Sequence, residues 1–338
     1  MRWIVTGGCG FIGTSLIRNL VEEGGHTIRV IDNFCAGTRN DLSAVCGFTE
    51  VGSGDMKPMD RMPAGKVELI DGDVIDGPLA FKACAGADAV VHLAANTGVE
   101  PSVEDPALDC TVNVFGTLNM LEAARHNHVG RFVFASSGAP IGECEPPIHE
   151  ELAPHPVSPY GASKLAGEGY CSAYFRSFGL ETVALRFGNV YGPGSGHKSS
   201  VVAKFIRKAM AGETLEVFGD GRQTRDFIFI EDLVRAVRRA ATVGDIGGEI
   251  FQIATSAETT VGELVERLIP ALAEAGIGPV ELRHTTPRIG DVQRNFSDTS
   301  KARRVLDWKA EMRLDDGLRR TVEWFVHQAG RPSLSATG

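Results

Sequence analysis

Tyr160 and Lys164 stand four residues apart in Pro159-Tyr160-Gly161-Ala162-Ser163-Lys164. On a helix, positions i and i+4 share one face. A phenol ionises near pH ~10, too high for an efficient base at neutrality. An adjacent ammonium favours the phenolate and draws that value down. Such a pair can take the proton of an alcohol. A hydroxyl to hold the alcohol lies upstream, where the apolar run Arg131-Phe132-Val133-Phe134-Ala135 ends in Ser136-Ser137. Gly138, Ala139 and Pro140 follow, and no carboxylate comes before Glu143. Neither glycine nor alanine can carry a proton. The catalytic candidates are therefore Ser137, Tyr160 and Lys164.

Oxidising an alcohol needs a hydride acceptor, and the N-terminus offers a place for one. Gly7-Gly8-Cys9-Gly10-Phe11-Ile12-Gly13 lies directly between a strand and a helix. Gly7 allows the turn, Gly10 lets a pyrophosphate approach the helix N-terminus, and Gly13 lets helix and sheet pack closely. Asp32 ends the second strand, 19 residues after Gly13, where a ribose-binding acid belongs. Its charge repels a 2′-phosphate, so NAD is expected rather than NADP, although Arg39 lies close enough in sequence to blunt that preference. Asp73 ends the third strand and can accept from an adenine amino group. The small side chains of Leu93-Ala94-Ala95, after His92, leave room for a flat nicotinamide nucleotide. Its positive ring would further lower the Tyr160 pKa.

These residues need a rigid sheet. Nearly continuous apolar runs at 3–6, 27–32, 67–71, 89–93, 132–136 and 182–187 read as strands covered on both faces. Helical patterns at 11–23, 108–126 and 160–178 alternate with them. This predicts an α/β fold, a doubly wound parallel sheet of Rossmann type with ligands at the C-terminal strand ends. The stretch 55–61 reads as a surface loop. After residue 188 the pattern changes: a glycine-rich loop at 192–196, helices at 201–211, 231–241 and 261–275, and strands at 227–230 and 250–254. The expected division is a dinucleotide-binding domain over 1–188, with interleaved segments from 225–255, and a smaller C-terminal α/β substrate lobe over 189–330. Residues 331–338 read as a disordered tail.

The chain has 338 residues, 43% hydrophobic and 23% charged, as expected of a soluble globular protein. A net charge of −9 disfavours nucleic acid and anionic membranes as partners. Seven cysteines without paired spacing suggest reduced thiols, a cytoplasmic location and no metal site. No apolar run approaches a membrane span.

Taken together the motifs resemble an extended short-chain dehydrogenase/reductase of the nucleotide-sugar epimerase/dehydratase group, UDP-glucose 4-epimerase-like in pattern. They are T-G-G-C-G-F-I-G (6–13), D-N (32–33), D-G-D-V (71–74), H-L-A-A (92–95), N-V-F-G-T (113–117), F-A-S-S (134–137), Y-G-A-S-K (160–164), R-F-G-N-V-Y-G-P (186–193), T-R-D-F-I (224–228) and R-I-G-D-V (288–292). The resemblance implies that Tyr160 is the acid/base on a sugar hydroxyl, that Lys164 holds the nicotinamide ribose, and that Ser137 bonds the reacting oxygen. It implies that Asn113 braces the Tyr160 helix, and that Phe11, Ile12, Asn33 and Val74 join the cofactor set. Asn189 would contact the substrate's phosphate or sugar, Glu216 and Phe218 its nucleobase, Arg225 and Arg288 its diphosphate, and Asp291 its ribose. Asn295 would face the sugar's 2-substituent, and its middling size leaves plain and N-acetylated hexoses both open.

Relatives that dehydrate sugars carry Asp-Glu where Gly138-Ala139 stand, and decarboxylases usually carry a glutamate at Ala139. The expected activity is therefore 4-epimerisation of a nucleotide sugar, UDP-linked by preference, through a transient 4-keto form. A nucleotide-sugar reductase or dehydrogenase, or a UDP-glucuronate-type epimerase, is the alternative; a catalytically silent sensor is disfavoured by the intact Ser137-Tyr160-Lys164 set. Pro140-Ile141-Gly142 replaces the group's usual V-Y-G, and His197 and Lys198 read as solvated loop residues. The helices at 108–126 and 160–178 are expected to form a homodimer interface, as in the group.

Overall fold

The structure, a computed structural model, describes residues 1–286 and 293–330. The residues Arg288 and Asp291 and the tail 331–338 lie outside the described residues.

Eight parallel strands form the central sheet. In chain order they begin with β1 (Arg2–Thr6), followed by helix α1 (Phe11–Glu23), β2 (Thr27–Asp32), α2 (Arg39–Ser43), β3 (Thr49–Glu50) and β4 (Val67–Asp71). Next come α3 (Gly77–Ala83), β5 (Ala89–His92), α4 (Val99–Glu104), α5 (Pro106–Cys110), α6 (Gly116–His126), β6 (Arg131–Ser137), α7 (Pro159–Phe178) and β7 (Thr182–Phe187). The second half contains β8 (Asn189–Tyr191), α8 (Val201–Met210), β9 (Leu215–Phe218), β10 (Thr224–Arg225), β11 (Phe227–Phe229), α9 (Ile230–Thr242) and β12 (Glu249–Ile253). It closes with β13 (Thr259–Thr260), α10 (Val261–Glu274), β14 (Leu282–Thr285), α11 (Ser300–Leu306) and α12 (Leu314–Ala329).

The spatial order is β12-β7-β6-β5-β1-β2-β4-β3. The order reverses between β1 and β5, which places a crevice at their C-terminal ends. Alternating side chains feed two cores. Trp3, Val5, Val30, Leu69 and Val91 meet Leu16, Ile17 and Leu20 of α1 and Leu233 and Val237 of α9. Ile4, Ile31, Ile70, Val90, Phe132 and Phe134 meet Leu79 of α3 and Met120 and Leu121 of α6. Each such side chain withdrawn from water contributes about 1.5–3 kcal/mol. The first core runs on without interruption into Val202, Phe205 and Ile206 of α8, Leu264 and Leu268 of α10 and Phe325 of α12. Strand β8 pairs in parallel with β11, and β9 with β14.

Two expectations need correction. The stretch 55–61 is not wholly a surface loop: Met59 is fully buried in the second core, at the start of a short 3-10 turn over Met59–Arg61. Apolar anchoring, invisible in so polar a segment, fixes it. The expected helix over 108–126 is broken into α5, a π turn at Thr111–Phe115, and α6. No Pro or Gly inside 107–115 signals the break; a π turn inserts a residue without needing one.

Candidate active site

The β1–α1 turn is packed to contact. A Cβ at Gly13 would lie 2.5 Å from the Gly7 carbonyl oxygen, so only glycine brings α1 this close to the strand. A Cβ at Gly37 would overlap the Cys9 carbonyl, so the loop after β2 is pressed onto the same turn. No side chain caps α1 at Gly10, which leaves its first N–H groups open to a ligand. Asp32 is buried beside them. Its Oδ2 accepts from Cys9 N and its Oδ1 from Phe34 N, both at 2.8 Å. Burial raises its pKa, partly offset by those two bonds. Asn33 Nδ2 donates to Asp73 Oδ2 at 2.8 Å, and Ile75 N donates to Asp73 Oδ1 at 3.1 Å. Arg39 lies over the Phe34 ring and pairs with Glu50 and Asp71, each at 2.8 Å. Its charge is thus committed away from Asp32.

A groove of about 2600 Å³ opens from this turn. Gly7, Gly10, Phe11, Ile12, Gly13, Asp32, Asn33, Asp73, Val74, Leu93, Ala94 and Ala95 all line it, as do Ser137, Tyr160 and Lys164 further along. Leu93 N and Ala94 N both donate to Thr6 Oγ1 at 3.1 Å, which holds the end of β5 against β1.

The candidate catalytic groups are positioned by β6 and α7. Ser158 caps α7, accepting from Gly161 N at 3.1 Å, and Pro159 starts the helix, so Tyr160 sits in a fixed first turn. Lys164 is buried, and its Nζ donates to Ala135 O at 2.9 Å and stands 5.9 Å from the Tyr160 ring centroid. Burial lowers the Lys164 pKa to about 8, against the opposing pull of Asp109 and Glu168. Ser137 Oγ accepts from Ala139 N at 3.2 Å and acts on the Tyr160 phenol as a neighbour that lowers its pKa. Enclosure within the groove raises the phenol to about 12, and Ser137 recovers only part of that. The expected lowering by Lys164 is therefore absent from the protein alone: desolvation outweighs an ammonium already spent on a carbonyl.

Asn113 sits in the π turn and ties three segments together. Its Oδ1 accepts from Asn96 N at 2.8 Å; its Nδ2 reaches Asn96 O, Asp109 Oδ1 and Ser163 Oγ at 2.9–3.0 Å. It thereby joins the β5–α4 loop to the helix that carries Tyr160.

On the far wall, Asn189 and Arg225 line the groove. Glu216 and Phe218 of β9 do not: the Glu216 carboxylate pairs with Lys208 at 3.1 Å and Arg283 at 2.6 Å, and Phe218 lies under Lys204. Asn295 is brought to the Ser137 end, its Nδ2 4.0 Å from where a Cβ of residue 138 would stand.

Sequence reasoning missed the support of Ser136, whose neighbours Glu168 and Arg186 are buried beneath the groove floor. The signal was a charged residue one turn after Lys164, on the same face. It also missed Gly37, and it misread Lys198, which is half-buried in the groove wall rather than solvated.

A doubly wound sheet with a glycine turn, an acid at the end of β2 and a Ser-Tyr-Lys set defines a nicotinamide-dependent short-chain dehydrogenase/reductase. The model of the NAD dependent epimerase/dehydratase family matches residues 3–254, and the chain belongs to that family. It is 36% identical to the UDP-glucose 4-epimerase of Mycolicibacterium smegmatis over 97% of this chain and all of that one. It is 32% identical to a dTDP-glucose 4,6-dehydratase of Streptomyces niveus, over 96% and 93% of the two chains. Among solved structures, the UDP-glucose 4-epimerase of Thermotoga maritima with UDP-glucose aligns with a TM-score of 0.85 and 32% identity, covering 97% of this chain and 100% of that one.

Proposed function

We propose that the protein is a 4-epimerase of a nucleotide sugar, UDP-linked hexoses or N-acetylhexosamines being the first candidates. The observation that carries this is Gly138-Ala139. Among the described residues, a Cβ at 138 would meet only the Asn295 amide, at 4.0 Å, and Gly138 leaves that space open. A dehydration would call for an acid there. The relatives include both chemistries, so this position is what favours epimerisation.

The turn at Gly7–Gly13 and the Asp32 carboxylate suit NAD, which when bound supplies a reversible hydride acceptor for C4. Tyr160 then accepts the proton of the 4-hydroxyl and returns it after the sugar has turned over. Ser137 holds the oxygen as it becomes a carbonyl, donating a hydrogen bond as charge develops. Lys164 stays close to the phenol and fixes the end of β6 through Ala135 O. Burial pushes the phenol up to about 12 in the free protein, and a bound cofactor's positive ring would supply charge that draws it down toward the range of a base.

The substrate diphosphate would lie near Asn189 and Arg225. The apolar surface formed by Val103, Leu108 and Phe115, which are 61%, 49% and 57% exposed, would pair with a second copy, and light scattering at micromolar concentration should read a dimer.

The test is to incubate purified protein, without added NAD, with UDP-glucose, UDP-galactose, UDP-N-acetylglucosamine and UDP-glucuronate in turn. Interconversion of any one with its C4 epimer supports the reading. No interconversion, with consumption of added NAD(P)H instead, refutes it in favour of a reductase.

A further inference from the structure

Lys198 belongs to the loop that joins β8 to α8, and that loop is held rigidly. Buried Ser195 donates through Oγ to Gly192 O at 2.7 Å, and Lys198 N donates to Ser195 O at 3.0 Å. From α8, Arg207 donates to Gly196 O at 2.6 Å and to Lys198 O at 2.7 Å. The loop passes between Phe11 on one side and Trp324 of α12 on the other. Its backbone therefore fixes where the Lys198 side chain leaves.

That side chain runs into the groove, with Nζ 5.4 Å from the centroid of Phe11, the first residue of α1. No carboxylate among the described residues pairs with it. The neighbouring charges are committed: His197 faces Asp41 at 4.0 Å, Arg207 is spent on carbonyls, and Lys204 lies over Phe218. Burial alone lowers the Lys198 pKa, to about 8. A half-buried ammonium with no carboxylate partner among the described residues gains from an anion that arrives with the ligand. In a protein of net charge −9, holding such a cation over the first turn of a helix with open N–H groups calls for a multiply charged guest.

We propose that Lys198 binds a diphosphate lying across the first turn of α1. Two molecules carry that group, the dinucleotide cofactor and the nucleotide-sugar substrate. The assignment rests on the reading that the groove takes both.

The experiment compares wild type, Lys198→Met and Lys198→Arg as purified holoenzymes at low salt. Titration calorimetry measures UDP and uridine, and release of resident NAD is followed after dilution. If the substrate is the source, Lys198→Met binds UDP about tenfold or more weakly, uridine is unchanged, and Lys198→Arg stays near wild type. If the cofactor is the source, NAD leaves Lys198→Met about tenfold or more faster while UDP binding holds. UDP affinity and NAD release both within twofold of wild type overturn the proposal, as does an equal loss for UDP and uridine. Wild type that binds neither UDP nor NAD overturns both this and the functional reading. A loss specific to diphosphate in a protein that epimerises nothing upholds Lys198 and overturns only the activity.

Discussion

Ser136 Oγ donates to Glu168 Oε1 across 2.6 Å, and Glu168 in turn receives both arms of Arg186, at 2.8 and 2.7 Å. All three residues are buried. The adjacent serine, on the opposite face of β6, belongs to the groove. Two neighbouring hydroxyls thus have separate surroundings, one bound into the buried ion pair and one beside Tyr160 in the groove, because alternate residues of a strand face opposite ways.

The buried ion pair makes a stability prediction. Glu168→Ala leaves the Arg186 guanidinium buried without its counter-charge, which should cost about 3–5 kcal/mol in urea unfolding. Replacing both residues by methionine should recover most of that loss. A single-variant cost below about 1 kcal/mol would mean that water reaches the pair.

Tyr160→Phe should lower kcat at least about a hundredfold at every pH, since no other group in the set can take the proton. UDP binding and resident NAD should match wild type. Retained turnover in this variant would assign the base elsewhere.

Lys164 sets a pH dependence of stability. Its folded pKa of about 8 lies below the ordinary 10.5, so between those values the unfolded chain binds more protons than the native one. Stability from this group therefore rises with pH across that window. Lys198 titrates in the same direction, also from about 8. Urea midpoints measured from pH 7.5 to 9 for wild type and Lys164→Met should diverge, with the variant curve flatter but not level, because Lys198 remains. Parallel curves would show that Lys164 is not desolvated.

Gly37→Ala should loosen the cofactor without touching any proposed catalytic group. Its Cβ would push on the Cys9 carbonyl and so on the β1–α1 turn. The expected readouts are a lower melting temperature and a smaller share of protein purified with NAD. A fully loaded variant would show that the loop yields instead.

Much of this site was legible because its parts are close in sequence. The glycine turn, Asp32 at the end of β2, and Tyr160 with Lys164 on one helical face follow from strand and helix periodicity. The sheet was legible for the same reason, its strands being short apolar runs between helices. What stayed hidden depends on distant approach. Gly37 reads as an ordinary loop glycine until the chain folds back on Cys9. Glu168 and Arg186, 18 residues apart, carry no local sign of each other until burial pairs them. Lys198 reads as solvated because nothing local reports that Phe11 and Trp324 enclose its loop. In the protein alone burial raises the Tyr160 pKa, because desolvation depends on the depth of the groove, which spacing does not encode; the expected lowering counts on a bound positive ring as well as on Lys164.

The π turn at Thr111–Phe115 sets a phase. Within it Asn113, bonded to Asp109 below, faces Ser163 of α7; above it Met120, Leu121 and Ala124 look toward the sheet. One amino acid fewer between Cys110 and Gly116 would heal the winding into a uniform helix: its two halves would face nearly as before, and the widened turn that carries Asn113 would be lost. The carboxamide would then swing off Ser163 while every residue type named above survived. Length at that point, as much as composition, is under constraint.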